Sequence, residues 1–259
     1  MSGNTTEKFS TRVENYKKYR PNYPGEVIHE LLNYLPQNKA LKVADIGSGT
    51  GIFTKCLMDA GFEVYAVEPN EEMRQSAEKD LSSNLKFHSI NGTAEVSTLP
   101  EESIDLITAA QAFHWFSQEP TLKEFQRILK PEGLIAFLWN ERDNDASLFL
   151  KEYELVLRES CPEYETSPHI SIGKQEILNY IEEVSLEEFH FSNFQEFDHE
   201  GFIGRVLSSS YTPLPESPDF DSFIAKITKL FNKHQENGKV IIQYNTHLYL
   251  GRVLLPNFM

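Results

Sequence analysis

A histidine beside a tryptophan, His114-Trp115, follows the apolar run 104–110, and an imidazole there can take a proton from a hydroxyl or orient a carboxylate as a donor. The indole of Trp115 can offer its face to a cation. Asn140 and Arg142 follow a second apolar run, 134–139, and a guanidinium fork can hold a carboxylate at two points. Glu68 ends a third run, 62–67, roughly 20 residues beyond the turn Gly47-Ser48-Gly49-Thr50-Gly51. A carboxylate at that distance can accept hydrogen bonds from both hydroxyls of a ribose, which points to a ligand with an adenosine-like sugar. Each residue also has a plainer reading. His114 and Trp115 are suited to a packed aromatic core, and Asn140 to Asp143 to a helix cap with a solvated charge cluster.

Short apolar strands are needed to carry these residues to a common rim, with helices between them to return the chain. The pattern predicts strands near 42–46, 63–67, 85–89, 104–109 and 134–139, with helices near 51–60, 71–80 and 120–129, and Lys130-Pro131-Glu132-Gly133 reads as a helix stop and turn into 134–139. That alternation builds a parallel sheet with right-handed crossovers, whose ligands lie at the carboxyl ends of the strands. In the dinucleotide fingerprint the third glycine would fall at position 52, where this chain has Ile52. A triphosphate loop would need Gly-Lys-Ser/Thr, but Ile52 and Phe53 follow Gly51. Earlier, 9–20 reads as a short helix ending at Pro21, and 25–35 as a helix with an apolar stripe at Val27, Ile28, Leu31, Leu32 and Leu35.

Beyond Asn140 amphipathic stripes recur at Phe149, Tyr153, Val156 and Leu157 and at Phe220, Phe223, Ile224, Ile227, Leu230 and Phe231. These predict helices around 145–182 and 199–235, beside a strand near 189–194 and a long final strand from Val240 to Leu250. The formal charge of -15, from 39 acidic and 24 basic residues, repels phosphate backbones and argues against nucleic acid. Two cysteines, Cys56 and Cys161, are too few for a thiolate metal cluster or a disulfide framework, and Cys56 reads as a buried thiol. No metal site is expected. The N-terminus lacks a signal-peptide core and no apolar run reaches membrane-spanning length, so a cytoplasmic protein is expected.

The run Asp45-Ile46-Gly47-Ser48-Gly49-Thr50-Gly51, with Glu68-Pro69-Asn70-Glu71-Glu72-Met73, resembles the first motif of the class I S-adenosylmethionine-dependent methyltransferases. The turn Thr93-Ala94-Glu95 before Leu99-Pro100 is similar to that family's adenine-binding turn, with Thr93 where an aspartate is more usual. Tyr16-x-x-x-Arg20-Pro21-x-Tyr23-Pro24 and Gln111-x-x-His114-Trp115 resemble segments of a small-molecule group that includes trans-aconitate methyltransferase. The resemblance implies that S-adenosylmethionine is held by Tyr16, Arg20, Asp45, Gly47, Ser48, Gly49, Glu68, Pro69, Met73, Thr93, Ala94, Glu95 and Gln111. In this reading Arg20 lies near the methionine carboxylate and 9–36 lies over the cofactor. His114 is then the candidate catalytic base, and Trp115, Asn140 and Arg142 the candidate substrate contacts.

The implied fold is a Rossmann-like, seven-stranded, mostly parallel sheet with its last strand antiparallel, helices on both faces and a helical cap. One domain over 1–259 is expected, with a cofactor-binding core at 37–140, cap helices and a sixth strand at 141–236, and a terminal strand at 237–259. The acceptor is expected to be a small molecule methylated on oxygen, carboxylate or hydroxyl, because the chain departs from the Asn/Asp-Pro-Pro-Tyr/Phe motif of amino-group methyltransferases at Gln111 to Trp115. The protein is expected to be a monomer or homodimer. The alternatives are a non-catalytic sensor of adenosyl ligands and, disfavoured by Ile52, a nicotinamide-dependent reductase.

Overall fold

The computed structural model describes residues 13–36, 40–165 and 174–254. The expectations for 9–12, for 37–39 at the start of the core, for 166–173 within the cap and for 255–259 at the end of the terminal segment lie outside these residues. Seven strands form one sheet: β1 Lys42–Ile46, β2 Glu63–Val67, β3 Phe87–Ile90, β4 Ile104–Ala110, β5 Leu129–Arg142, β6 Glu187–Phe197 and β7 Val240–Arg252, in the order β3-β2-β1-β4-β5-β7-β6. β1 pairs in parallel with β2 and β4, β2 with β3, and β4 with β5, while the last strand of the chain enters antiparallel. The helices are α1 Val13–Tyr19, α2 Gly25–Tyr34, α3 Ile52–Asp59, α4 Glu71–Leu81, α5 Gln118–Ile128, α6 Leu148–Ser160, the one-turn α7 Lys174–Ile177, α8 His199–Leu207 and α9 Phe220–His234.

The chain divides into two compact units. Of the described residues, one holds 22–36, 40–140, 174–191 and 246–254. Its strands alternate, as a two-residue period requires, between two apolar faces. Ala44, Ile46, Val67, Ile107, Ala109, Ile135, Phe137 and Trp139 pack in one cluster, and Val43, Val64, Leu106, Ala136 and Leu138 in the other. Burying both faces explains why these strands read as continuous apolar runs. β5 begins five residues before the run at 134, because the segment expected to be a turn, Lys130-Pro131-Glu132-Gly133, stays within the strand as an irregularity. Its register jumps there, from Ile104 opposite Leu129 to Leu106 opposite Leu134. Pro131 has no N–H for the ladder, so the extra residues are accommodated as a bulge.

Of the described residues, the second unit contains 13–21, 141–165 and 192–245. Its core joins Phe149, Leu150, Tyr153 and Leu157 of α6 to Phe202 and Val206 of α8 and to Phe223, Ile227, Leu230 and Phe231 of α9. Capping starts two of these helices sharply: Ser147 Oγ accepts from Leu150 N, and Asp198 Oδ1 from Gly201 N. Helix α1 reaches this core through Tyr19, which lies against Gly204 of α8. A Cβ at Gly204 would stand 2.0 Å from the Tyr19 ring, so this mid-helix glycine exists for a close approach.

Candidate functional site

At the tip of β1 the chain turns through Gly47, Ser48 and Gly49 into α3. Gly47 and Ser48 N–H both donate to Val67 O at the tip of β2, at 2.8 and 3.2 Å. Gly47, with φ +68°, has no room for a side chain, because a Cβ would lie 2.6 Å from that of Ala112. At Gly51, φ +83°, the obstruction is Leu81 of α4 at 2.7 Å. These two glycines are therefore required by packing and by left-handed backbone. At Gly49 a Cβ would meet only Met73 Sδ, at 3.7 Å.

Glu68 is buried, 7% exposed, and both carboxylate oxygens are anchored by main chain: Gly49 N–H donates at 2.9 Å and Asn70 N–H at 2.8 Å. Burial pushes its carboxyl above the usual range, opposed by those two N–H groups. Each oxygen keeps a further lone pair, so the anchored group can still accept hydroxyl hydrogen bonds. Asn70 also caps α4, accepting from Met73 N–H at 2.9 Å, which fixes Met73 beside the glycine turn, while Pro69 is exposed. The turn and the carboxylate thus form one hydrogen-bonded piece.

Asp45 turns inward. Thr54 Oγ1 of α3 donates to it at 2.6 Å and Thr108 Oγ1 of β4 at 2.9 Å, joining three elements beneath the turn. Burial raises its carboxyl to about 6, against the pull of those hydroxyls. Sequence reasoning singled out Asp45 but missed Thr54 and Thr108, whose small hydroxyls on apolar elements carry no pattern of their own.

The turn after β3 is similarly built. Thr93 is exposed, its Oγ1 accepting from Val96 N–H at 3.2 Å, and Ala94 is buried. Glu95 Oε1 accepts from Ser117 N–H at 2.8 Å, at the start of α5. Burial would raise the Glu95 carboxyl, but that bond and the Thr93 and Ser117 hydroxyls outweigh it and hold it below the usual range. Two residues on, Ser97 N–H and Oγ both donate to Glu124 Oε1 of α5, at 2.9 and 2.5 Å. Glu124, which the sequence reading passed over, pins this turn from below.

β4 is followed by Gln111, a non-glycine residue with φ +59°, in a conformation that costs energy and recurs at functional sites. Gln111 N–H donates to Leu138 O and its Nε2 to Asn140 O, both at 2.9 Å. Asn140, buried at the tip of β5, accepts from Thr246 Oγ1 and donates through Nδ2 to Asn22 O at 3.4 Å. His114 lies in a single 3-10 turn, its ring 4.3 Å from that of Trp115 and 5.1 Å, edge to face, from Trp139. Trp115 remains 41% exposed. Cys56, expected to be a buried thiol, is only partly buried and donates to Asn22 Oδ1 at 3.2 Å. Asp45, the glycine turn, Glu68, Pro69, Met73, 93–95, Gln111, His114, Trp115 and Asn140 all belong to the unit that contains the parallel strands.

Tyr16, Arg20 and Arg142 belong to the other unit. Arg142 is committed internally: its Nη2 meets Glu154 Oε2 at 2.5 Å and Tyr164 Oη at 2.9 Å, and its Nε donates to Asn144 Oδ1 at 2.6 Å. The carboxylate expected from a substrate is thus supplied by Glu154. Arg20 lies over the ring of Tyr16, 4.9 Å from its centroid, and donates to Ser208 O at 3.1 Å. Among the described residues no three or more metal-ligating side chains cluster, and no helix is long and apolar enough to cross a membrane.

Residues 44–137 match the model of a methyltransferase domain. An uncharacterized methyltransferase of Schizosaccharomyces pombe is 30% identical over 256 residues, 93% of this chain and 95% of that one. Among solved structures, a type II methyltransferase by name from Anaeromyxobacter dehalogenans superposes with a TM-score of 0.66 at 20% identity, covering 90% of this chain and 98% of that one. A phosphoethanolamine N-methyltransferase of Haemonchus contortus, solved with S-adenosylmethionine, gives 0.54 at 14% identity over 94% of this chain and 57% of that one. These two likenesses are of fold.

Proposed function

Because the chain belongs to the class I S-adenosylmethionine-dependent methyltransferases, we propose that it transfers the methyl group to oxygen, carboxylate or hydroxyl, of a small molecule. The observation that carries the cofactor side is Glu68, a buried carboxylate anchored by two backbone N–H groups, one of them from the glycine turn, with acceptor lone pairs to spare. In our reading Glu68 accepts the two ribose hydroxyls, Ala94 main chain and Glu95 meet the adenine edge, and Gly47 to Gly49, Asp45, Pro69, Met73, Thr93 and Gln111 border the rest of the cofactor. Tyr16 and Arg20 are proposed for the methionine end.

The sulfonium is already an activated leaving group, so the protein has mainly to align nucleophile, methyl carbon and sulfur and exclude water. A carboxylate acceptor is ionised and needs no base; for a hydroxyl acceptor His114 takes the proton. Trp115 and Asn140 are proposed for the acceptor. Oxygen is favoured by the sequence at the end of β4, where Gln111 to Trp115 replaces the motif of amino-group methyltransferases. The acidic balance of the chain disfavours nucleic acid as acceptor. A cytoplasmic monomer or homodimer completes the reading.

The test is an acceptor screen that follows S-adenosylhomocysteine formation. Turnover with hydroxy or carboxylic acids, reduced at least tenfold in His114→Ala only for hydroxyl acceptors, is expected. Turnover confined to amines or nucleic acid would overturn the oxygen assignment. Tight binding of the adenosyl ligand without turnover on any acceptor would favour a sensor.

A further inference from the structure

β5 and β7 are neighbours in the sheet, and on one face Ala136 and Leu138 of β5 join the same apolar cluster as Leu248 and Leu250 of β7. Two residues beyond Leu138, and two before Leu248 on the antiparallel strand, that face turns polar at Asn140 and Thr246. Thr246 is 0% exposed and Asn140 8%. The inward positions Val240, Ile242, Leu248 and Leu250 of β7 are aliphatic, and a valine would fill the volume of Thr246. What threonine adds is a hydroxyl, and a buried hydroxyl needs a partner. It donates to Asn140 Oδ1.

The direction of the Asn140 carboxamide follows from its other neighbour. Asn22 O, a carbonyl that can only accept, lies 3.4 Å from Nδ2. The nitrogen therefore faces Asn22 and the oxygen faces Thr246, because the reverse would set two acceptors against each other. Asn22 is held in turn, its Oδ1 accepting from Tyr23 N–H at 2.9 Å and from Cys56 Sγ at 3.2 Å. The main chain of Asn140 is fixed as well, its carbonyl accepting from Gln111 Nε2 at 2.9 Å. Gln111 makes that bond from a left-handed backbone, φ +59°. Three separate segments thus restrain one side chain at a strand tip.

We infer that Thr246 is a positioning residue for methyl transfer, and that through Asn140 it sets the class of acceptor group. By keeping the carboxamide oxygen on its own side, it makes the nitrogen, a donor, the end that an acceptor meets. This rests on the reading above that Asn140 contacts the acceptor. A carboxylate or hydroxyl oxygen brings lone pairs to that nitrogen, whereas an ammonium group only donates. Thr246 thereby favours oxygen acceptors over protonated amines without touching either.

The test takes matched series of alkanoic acids, alkanols and alkylamines through wild type, Thr246→Ser and Thr246→Val, following S-adenosylhomocysteine formation for kcat and KM. Calorimetry gives each protein's affinity for S-adenosylhomocysteine. Where turnover is too slow to time, the Tm of the S-adenosylhomocysteine complex with each series reads the same preference. Wild type should prefer acids or alcohols to amines. Thr246→Val should lower kcat/KM for the oxygen series by about tenfold, the worth of one misplaced hydrogen bond, and spare the amines. Thr246→Ser, which keeps the hydroxyl, should keep the preference, and all three proteins should bind S-adenosylhomocysteine equally. Thr246→Ala carries the test if the valine variant does not fold. The wild-type preference retained without the hydroxyl would overturn the role of Thr246 and leave the oxygen reading standing. A wild type that prefers amines, or shows no preference by either readout, would overturn both. Affinity for S-adenosylhomocysteine falling in step with the rate would reduce Thr246 to a structural residue.

Discussion

Each unit buries charged groups that have no ionic partner among the described residues, and the two units bury opposite signs. In the one built on the parallel strands, Asp45 and Glu68 are buried carboxylates held by neutral donors, two threonine hydroxyls in one case and two backbone N–H groups in the other. In the other, Arg20 and Arg205 are buried cations held by neutral acceptors, while Arg142 has its own carboxylate. In an acidic chain, burying cations without anions where α1 meets α8 requires a specific cause. Anchored carboxylates suit a ligand with hydroxyls and a positive sulfonium, and an unpaired Arg20 suits the methionine carboxylate proposed for it. The matched pair Arg142–Glu154 is the internal standard against which both are measured.

The largest effect should come from breaking that standard. Arg142→Met leaves Glu154 with only the half-exposed Arg158 as a cation, at 2.8 Å, and should cost about 3 kcal/mol in urea unfolding, with part of the loss recovered by adding Glu154→Gln. An equal loss from Arg205→Met would erase the distinction between paired and unpaired arginines.

Asp45 gives a pH signature. Its carboxyl, raised to about 6 in the fold from 3.8, binds protons more tightly in the native state. Its contribution is therefore fully present below pH 3.8 and is lost as pH rises through about 6. Relative to Asp45→Asn, the wild type should lose on the order of 3 kcal/mol across that window. A flat difference would mean that Asp45 is not buried as a carboxylate. Smaller again is Glu124→Ala, which frees Ser97 N–H and Oγ and should cost about 1.5 to 3 kcal/mol in the same measurement.

The cofactor half of the protein was legible because its signals are local: strand, glycine turn, helix, strand and carboxylate lie within residues 41–68, and the family match at 44–137 spans the same core. What escaped was long-range. Thr54 and Thr108 meet Asp45 across 9 and 63 positions, and Glu124 meets Ser97 across 27. The sequence reading gave Arg142 to a substrate because Glu154, one helix away, is an ordinary surface-type residue in an amphipathic pattern. Arg20 was singled out by its resemblance to a cofactor-contacting segment, but its meeting with Arg205 across 185 positions, where Tyr19 packs on Gly204, leaves no local signal. The early start of β5 was missed because Pro131 and Gly133 read as a turn, although a bulged strand holds both.

The most direct test of the account is calorimetric titration of S-adenosylhomocysteine into the wild type and Glu68→Ala, with NAD as the control ligand. Wild type should bind the adenosyl ligand and not NAD. Loss of the charge-assisted bonds to the ribose should weaken that binding by about 1.5 to 3 kcal/mol, roughly 10- to 150-fold. Equal affinity in the two proteins would contradict the assignment of Glu68 to the ribose, and binding of NAD alone would contradict the cofactor itself.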